Sequence, residues 1–523
     1  MPRRDVGACV AALAAVFLVF YLLTSHYDVT MDAGDAAQFQ TIGVVGGIPH
    51  QPYPLWCVLS NCAALLPIGE PAFRITLLSA LCASVSIGLL FLLFVQMTGD
   101  ALASMIACAA FGLSHAFWQI AVVAEIYALS TLLFIIFLLC LTRWVAADSV
   151  PAWLALAFTT GLVVSHHQLN VAVLPALALV LWRYRWRVRQ RYSARHALAA
   201  AALFLLPFTL YVYTYVIDGN PNTLNWYDNQ GQYLYADRGL DPAAFAGFWE
   251  RLRFQMWPAR YGEIVQTPAA FAARAVLWVR HLVSLEFPFL APFIMMAGFV
   301  SLWRDSRLRW FWLLLMATYG ALAVNYLSGG SLTYTYSIPI YVVLCLYLSQ
   351  GVALARRGAA RGRRVLLPVV LGGALVALPV LRHLAASPFA RFLRSAEGVA
   401  EVEAGSGLFW HLIASGNKGR LYGESVAGAV APNSLIFAAW AEGNVLFYHK
   451  LAKGLLRDVG IHYVLPRPEY MARLIREKAP VAVYFTVRPD SLGFESAEVL
   501  AVEPGRRLYR VDVAGIAGPT HGR

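Results

Sequence analysis

Charged side chains are scarce in this chain of 523 residues, where Asp, Glu, Lys and Arg together make up 13% of the sequence. A soluble protein of this length carries roughly a quarter of charged residues. The hydrophobic residues make up 59% and occur in blocks of about 20, long enough to cross the hydrocarbon core of a bilayer. The shortage of charge therefore excludes an ordinary soluble protein and predicts a polytopic membrane protein.

Several motifs are also missing from the sequence. It has no CxxC pair, no HExxH pattern, no glycine-rich phosphate loop in its soluble part and no internal repeat. Metal binding is therefore not expected. The lack of an internal repeat also disfavours a transporter, because many transporters are built from repeats. Because most of the cysteines lie within apolar segments, we expect small buried hydrophobes and no disulfide. The seven cysteines are Cys9, Cys57, Cys62, Cys82, Cys108, Cys140 and Cys345.

The apolar blocks predict eleven membrane spans. The first block follows Arg3-Arg4 without an obvious small-residue cleavage site, and we interpret it as a retained helix rather than a signal peptide. The predicted spans are 6–27, 73–97, 101–121, 126–145, 151–167, 169–183, 196–217, 284–303, 309–328, 335–355 and 364–383.

The arginines indicate how these spans are oriented. The formal charge of +12 does not suggest nucleic acid, because the arginines concentrate in short loops such as 183–195, 304–309 and 356–364. Positive loops stay on the cytoplasmic side. We therefore expect an integral multi-pass protein of a bacterial inner membrane, with a cytoplasmic N-terminus and a periplasmic C-terminal part.

The chain divides into two predicted domains. Residues 1–383 form a transmembrane domain with long outer loops at about 28–72 and 218–282, and Pro54 to Leu66 suits a helix at the interface. Residues 384–523 alternate short β-rich runs with helical patterns, which predicts a small extracytoplasmic α/β domain. Its predicted strands are 434–440, 461–465, 481–487, 498–502 and 507–513, and its predicted helices are 444–456 and 468–479. The fold class is thus an α-helical polytopic membrane protein with a small C-terminal α/β soluble domain.

Polar residues from separate parts of the chain fall on the outer side. Ionisable groups at membrane depth are costly and tend to be functional. Their convergence on one face is what an active site at the membrane surface requires. The set comprises Asp35, His50, Glu125, His166, His167, Asn225, Arg260, Tyr261, Arg280 and His281.

Each member of this set has a functional and a structural interpretation. Asp35 is placed to act as the general base for an acceptor hydroxyl. The alternative is that it is a solvated acid of the loop. Glu125 and the pair His166-His167 are also favourable at the helix ends where they lie, because of the helix dipole. His50 either orients a phosphate or caps a turn. Phosphate could be held by Arg74, Arg260, Arg280 or His281, for which snorkelling at the interface is the alternative.

An ordered series of short motifs resembles the membrane family catalogued as domain of unknown function 2723, a branch of the GT-C integral-membrane glycosyltransferases. The resemblance covers roughly residues 25–265. In this chain Gln38 replaces the Glu of the family's first motif, and the Gly of the second is missing. The matching elements are Asp35 to Phe39, His50 to Leu55, Arg74 to Ala80, Phe117-Trp118, Glu125 to Leu129 with Tyr127, Gly161-Leu162, His166-His167, Asn225-Trp226 and Tyr261-Gly262.

The resemblance implies transfer of a sugar from a polyprenyl-phosphate donor to a hydroxyl of a glycan, lipid or protein acceptor on the outer face, with inversion. It implies Asp35 as the base, and it requires no cofactor beyond the lipid-linked sugar. Of the other residues, His50 and Glu125 would shape the site, Arg260 or Arg280 would hold phosphate, and Trp226 and Tyr261 would contact sugar or acceptor. Two alternatives stay open: a transporter or flippase of lipid-linked sugars, and a non-catalytic membrane scaffold whose C-terminal domain binds a partner.

Overall fold

The computed structural model describes residues 3–31, 34–220, 222–227, 247–256, 267–287, 291–325, 327–328, 331–332, 334–358, 372–373, 417–465, 468–502 and 505–511. Within these ranges the protein is mostly helical, and a small sheet region lies near the C-terminus. The predicted eleventh span, 364–383, falls almost wholly outside the described residues.

Helices cover the other ten predicted spans. Five helices among the described residues are long and apolar enough to cross a membrane, and a bent pair makes a sixth. The chain is therefore an integral multi-pass membrane protein. The helices up to residue 217 are α1 Arg3–Thr24, α2 Ala36–Val45, α3 Pro54–Ala64, α4 Pro71–Thr98, α5 Ala101–Gly112, α6 His115–Ala121, α7 Ile126–Ala147, α8 Val150–His166, α9 Val173–Arg183, α10 Arg185–Arg191, α11 Ala194–Leu205 and α12 Tyr211–Ile217.

The later helices of the membrane domain are interrupted more often. They are α13 Phe248–Met256, α14 Pro268–His281, α15 Ala291–Asp305, α16 Arg309–Asn325 and α17 Ile338–Gly358. Short 3₁₀ segments, Gln168–Ala172, Leu206–Leu210 and Tyr334–Ser337, lead into α9, α12 and α17, and a π-helical turn, Leu282–Glu286, follows α14.

Three predicted spans differ in detail from the helices observed. Span 101–121 is broken into α5 and α6, which are bent by 69°. Within the predicted span 284–303, the π-helical turn Leu282–Glu286 ends before Phe287, and the described part of α15 runs from Ala291. The predicted end at 328 is wrong, because Leu327–Ser328 (β3) pairs with Ser331–Leu332 (β4) as a hairpin.

Small residues let the helices of the membrane domain approach closely. Gly351 of α17 faces Gly298 of α15, and a methyl group on Gly351 would lie 2.1 Å from the carbonyl oxygen of Ile294. A methyl group on Gly298 would lie 1.9 Å from the carbonyl oxygen of Tyr347. Because no hydrophobic effect drives helices together in lipid, this backbone contact is a main source of their association.

The C-terminal region forms a five-stranded mixed sheet with order β6-β5-β7-β9-β8. The neighbours β6, β5 and β7 are parallel, and β9 joins antiparallel to β7 and β8. The elements are α18 Lys418–Ala429, β5 Leu435–Ala438, α19 Trp440–Leu451, β6 Gly460–Tyr463, α20 Pro468–Lys478, β7 Val483–Phe485, β8 Ser496–Val502 and β9 Arg506–Val511.

The predicted α/β character is confirmed, with two corrections. The first strand ends at Ala438, and Trp440 begins α19, so the helix predicted at 444–456 starts four residues earlier and ends at Leu451. Helix α18 was not predicted, since its glycines weaken the helical pattern. In the structure these glycines permit close packing: Gly419 lies on the backbone of Val29, and Gly423 lies on the ring of His449.

The first outer loop and the C-terminal sheet region share one hydrophobic core. Val29, Ala37 and Ile42 pack in the same buried cluster as Tyr422 and Tyr448. Two ion pairs cross the same boundary, from Arg420 Nε to Asp28 Oδ2 at 3.0 Å and from Lys453 Nζ to Glu70 Oε2 at 2.5 Å. The C-terminal region is thereby fixed against the loop that carries Asp35, while the predicted boundary at 383/384 lies outside the described residues.

The glycine crossing of α15 and α17 yields a stability prediction. Gly351→Ala should lower the free energy of unfolding by roughly 1–3 kcal/mol, because its methyl group overlaps the Ile294 carbonyl. The measurement is the Tm of the purified protein in detergent. Gly7→Ala is the matched control, since nothing lies within 4 Å of its new methyl group, and equal Tm values for both variants would contradict the prediction.

Candidate active site

Asp35 lies at the first turn of the outer loop helix, where its side chain is directed away from its own helix. It is the N-cap of α2, and an N-cap aspartate ordinarily accepts a hydrogen bond from the first turn. Here the Asp35 carboxylate makes no such bond. Gly34, at φ +50°, supplies the left-handed turn that precedes it. The carboxylate is thus available to groups outside α2.

Two side chains orient the Asp35 carboxylate. The indole Nε1–H of Trp440 donates to Oδ1 at 2.7 Å, and His50 Nε2 lies 3.5 Å from Oδ2. On its other side, His50 Nδ1 lies 2.9 Å from Gln38 Oε1. Asp35 remains 33% exposed and His50 17%, so a substrate can reach them. The resulting chain Gln38–His50–Asp35 fixes both the imidazole ring and the carboxylate.

Gln38 occupies the place of the acid in the family motif and is buried. An amide can turn over to offer either its oxygen or its NH₂ group to the imidazole. With its oxygen towards Nδ1, Gln38 accepts the Nδ1–H of His50; with its NH₂ group there, it leaves the proton of the neutral ring on Nε2, facing Asp35. The resemblance implies that Gln38 replaces a second acid. In the structure its side chain instead contacts His50 and positions that ring.

Glu125 supplies a second carboxylate near Asp35. It precedes α7, and its backbone N–H donates to Ser79 Oγ at 3.0 Å. Its Oε2 is buried and has no hydrogen-bond partner within the described part of the chain. Burial, and then the charge of Asp35, raise the pKa of the Glu125 carboxyl well above 4.5. The two acids therefore have different environments, which favours a protonated Glu125.

His166 and His167 lie at the end of α8 beside this group. His166 Nε2 is 3.3 Å from the carbonyl oxygen of Ile126, next to Glu125. His167 Nδ1 accepts the Leu169 N–H at 3.1 Å, which places the proton of the neutral ring on Nε2. Burial and the neighbouring His166 and His50 lower the pKa of His167 to about 3. A neutral His167 acts at the end of α8 through its ring hydrogen bonds and not as a cation.

Aromatic rings connect these residues to a small cavity. Tyr53 stacks on His167 with ring centroids 5.6 Å apart, and Tyr127 lies 5.5 Å from the same imidazole. Beyond them is a cavity of about 30 Å³ lined by Tyr127, His167, Asn170, Tyr319 and Tyr336. The buried His167 Nε2 has no partner among the described residues, so it offers a donor at the wall of this cavity.

Asn225 and Trp226 are brought to the loop by a two-strand parallel pair. Ile48 in β1 (Gly47–Ile48) is opposite Asn225 in β2 (Leu224–Asn225). Asn225 Nδ2 donates to the carbonyl of Ile217 at 3.3 Å, and Trp226 is buried. Both predicted residues are thus held near the segment that leads to His50.

The predicted phosphate donors are placed differently from one another. Arg74 donates to three backbone carbonyls, those of Ala64, Ile68 and Gly69, so its guanidinium fixes the turn after α3. Arg280 is exposed at the end of α14. Arg260 and Tyr261 lie outside the described residues. That Arg74 binds phosphate stays a prediction. Its three observed hydrogen bonds stabilise the turn after α3.

His281 belongs to a separate buried cluster. Its Nε2 lies 3.0 Å from Glu286 Oε1, and its ring centroid is 6.2 Å from that of His115. Glu286 also accepts the Ala116 N–H at 3.2 Å, in the first turn of α6. The carboxylate thereby satisfies a free helix N-terminus at the bend between α5 and α6. In the ranges described here, no group of three or more His, Cys, Asp or Glu residues could hold a metal ion.

Several residues of the group were not singled out from the sequence. Trp440 was assigned to the end of a strand, and Tyr336 and Tyr463 were not considered. Trp440 stacks on Tyr463, with ring centroids 4.9 Å apart. The sequence did contain a signal for Trp440, because this residue lies at the end of a predicted strand. The carboxyl ends of parallel strands form binding sites.

Comparison with known proteins gives two kinds of similarity. Residues 35–190 match the family model described as the N-terminal domain of the protein O-mannosyl-transferase TMEM260. The mouse protein O-mannosyl-transferase TMEM260 is 31% identical over 125 residues, which are 24% of this chain. The match spans only 17% of the mouse protein's length.

The solved structures extend the similarity to the whole chain. The crystal structure of ArnT from Cupriavidus metallidurans bound to undecaprenyl phosphate has a TM-score of 0.56, with 15% identity over 98% of both chains. ArnT from the same organism in the apo state gives 0.55, with 15% identity over 98% of this chain and 99% of that one. The chain therefore shares the fold of these ArnT structures.

The environment of Glu125 predicts a pH-dependent stability. A raised pKa means that the folded protein retains a proton that the unfolded chain releases, so stability falls as pH rises above about 4.5. Glu125→Gln cannot ionise. The Tm of this variant relative to wild type should therefore increase with pH above that value, whereas the exposed control Glu424→Gln should show no such trend. A constant difference across the pH range would contradict the prediction.

Proposed function

We propose that this chain is a membrane glycosyltransferase that moves a sugar from a polyprenyl-phosphate-linked donor to an acceptor hydroxyl. Three observations support the proposal. The matched relative is named a protein O-mannosyl-transferase, the ArnT structure that shares the fold is bound to undecaprenyl phosphate, and the matched segment begins at Asp35. The membership of the family catalogued as domain of unknown function 2723 is part of the same proposal.

The observation that carries the proposal is the geometry of Asp35. Its carboxylate gives up the helix-capping bond and is oriented instead by Trp440 and His50. A general base needs this combination of access and fixed orientation. Asp35 takes the proton of the acceptor hydroxyl while the oxygen attacks the anomeric carbon of the sugar. The bond to the phosphate oxygen breaks on the opposite face, which inverts the anomeric centre and releases polyprenyl phosphate.

The neighbouring residues divide the remaining tasks. His167 lies beside the rings of Tyr127 and Tyr336, and an imidazole N–H next to aromatic rings suits hydrogen bonding and stacking with a sugar. A protonated Glu125 adds a second donor without adding negative charge beside the leaving phosphate. Arg260 or Arg280 remains our candidate for stabilising that phosphate. No nucleotide and no metal is assigned a role.

We further infer that the site faces the periplasm of a bacterial inner membrane. Arginines dominate the segment from Arg183 to Arg195 at the end of α9 and along α10, a bias typical of cytoplasmic loops. This assigns the N-terminus to the cytoplasm and the C-terminal sheet region, which contacts Asp35, to the outer side. The acceptor class is addressed below.

Asp35→Asn should reduce sugar transfer by about 10²–10⁴-fold, because an amide cannot accept the hydroxyl proton. The measurement is transfer of radiolabelled sugar from a panel of polyprenyl-phosphate donors by purified proteins of equal thermal stability. Asp148→Asn is the matched control, since Asp148 is equally exposed at 32% and pairs with Arg187 among the arginines. Full activity of Asp35→Asn would remove Asp35 from the role of base, and a transporter or scaffold would then be favoured.

Trp440→Phe tests the orientation of the base separately. Phenylalanine retains a ring that can stack on Tyr463 but loses the N–H that holds Asp35 Oδ1. Because hydrogen bonds to charged groups contribute about 1.5–3 kcal/mol, kcat should fall by at least about tenfold with little change in KM for the donor. The exposed Trp310→Phe is the control. A Trp440→Phe enzyme with unchanged kcat would show that this contact is structural.

A further inference from the structure

A second cleft lies in the C-terminal sheet region, at the carboxyl ends of β5 and β7. Its volume is about 440 Å³, and its lining includes Tyr422, Glu442, Thr486, Arg488, Arg506 and Arg507. Thr486 Oγ1 accepts the Ala439 N–H at 2.9 Å, which joins the end of β7 to the start of α19. Open α/β sheets bind ligands at this edge of their parallel strands.

The charge of the cleft is strongly positive. Three arginines line it, and the one acid among its described lining residues is Glu442, which is buried and pairs with Arg506. Arg488 and Arg507 are exposed at the surface of the cleft. The planar guanidinium group presents its donors in a fork that matches the oxygens of phosphate and carboxylate. The cleft thus suits an oxyanion.

Tyr422 provides an independent sign that a ligand belongs here. Its side chain is only 1% exposed, and its hydroxyl has no hydrogen-bond partner in the described ranges. The charges that act on this hydroxyl are those of Glu442 and Arg506, which places it at the cleft. Burial raises the pKa of the phenol, so it stays a donor. A buried hydroxyl without a partner is costly, and a ligand oxygen would satisfy it.

The cleft is mechanically linked to the candidate base. Trp440, which donates to Asp35, and Glu442, which pairs with Arg506, lie two residues apart in the first turn of α19. The cleft and Asp35 therefore contact the same turn of α19 from different sides, because residues two apart in a helix point to different faces, and a molecule that spans both sites passes around this turn. The substrate that must bring its hydroxyl to Asp35 is the acceptor.

We propose that this cleft binds the phosphate group of an anionic acceptor and so selects phosphate-bearing acceptors for transfer. The claim that the bound molecule is an acceptor rests on the proposed function. The claim that the cleft binds an anion rests on the residues of the cleft alone. The phosphate can belong to a soluble molecule or to a lipid headgroup, and the experiment separates these sources.

The test is a calorimetric titration of the full-length protein in detergent with inorganic phosphate, without sugar donor. Wild type should bind phosphate, and Arg488→Gln/Arg507→Gln and Tyr422→Phe should each bind at least about tenfold more weakly. Arg510→Gln is the matched control, because Arg510 is an exposed arginine of the same strand that pairs with Glu498 instead. No binding by wild type, or equal affinity in all variants, would overturn the site.

Two further arms identify the source and the role of the anion. Titration of the protein in detergent with short-chain phosphatidylglycerol, compared with phosphatidylcholine of the same chain length, should show headgroup-dependent binding that the double variant loses if the phosphate belongs to a lipid. With a phosphorylated acceptor, the double variant should raise KM about tenfold while kcat is retained. An unchanged KM despite lost phosphate binding would overturn the acceptor role. Absence of transfer by wild type would contradict the proposed function and leave the titration result standing.

Discussion

The site depends on one interaction between distant parts of the chain, in which the indole N–H of Trp440 holds the carboxylate of Asp35. The contact is possible because the first outer loop and the C-terminal sheet region share a core, built around Val29, Ile42 and Tyr422. Two ion pairs at its margin fix the relative position further. A loop acid thereby becomes an oriented group, although its carboxylate makes no capping bond to its own helix.

Burial then separates the properties of the two acids. Asp35 is one-third exposed and paired with an imidazole and an indole, whereas the Glu125 Oε2 is buried without a described partner. Burial, and then the negative charge of Asp35, raise the pKa of the Glu125 carboxyl, so one proton is retained where two negative charges would repel. Neighbouring carboxyl groups with distinct environments are a common basis for distinct acid and base roles. In this fold the two environments differ because of where the helices begin. Asp35 precedes α2 and is 33% exposed, whereas Glu125 precedes α7 and has a buried Oε2.

The sequence was sufficient for the parts of the structure that local patterns determine. Apolar runs predicted the helices, because burying twenty apolar residues in lipid leaves the backbone little alternative to a helix. Asp35, His50 and Glu125 were found since charged groups beside membrane spans are costly. Trp440 was missed because it lies 405 residues from Asp35, and no local pattern encodes that contact. Arg74 was assigned to phosphate, whereas the structure directs its guanidinium to three carbonyls of the adjacent turn, a geometry that spacing alone does not reveal.

The most direct test of the account is the stereochemistry of the transferred sugar. Asp35, oriented on the acceptor side, is assigned to a single displacement, so the anomeric configuration of the product should be opposite to that of the lipid-linked donor. Proton NMR of the isolated product, compared with the donor through the anomeric coupling constant, measures this outcome. Inversion agrees with Asp35 as a general base. Retention would require a covalent or front-side route and would contradict the central assignment.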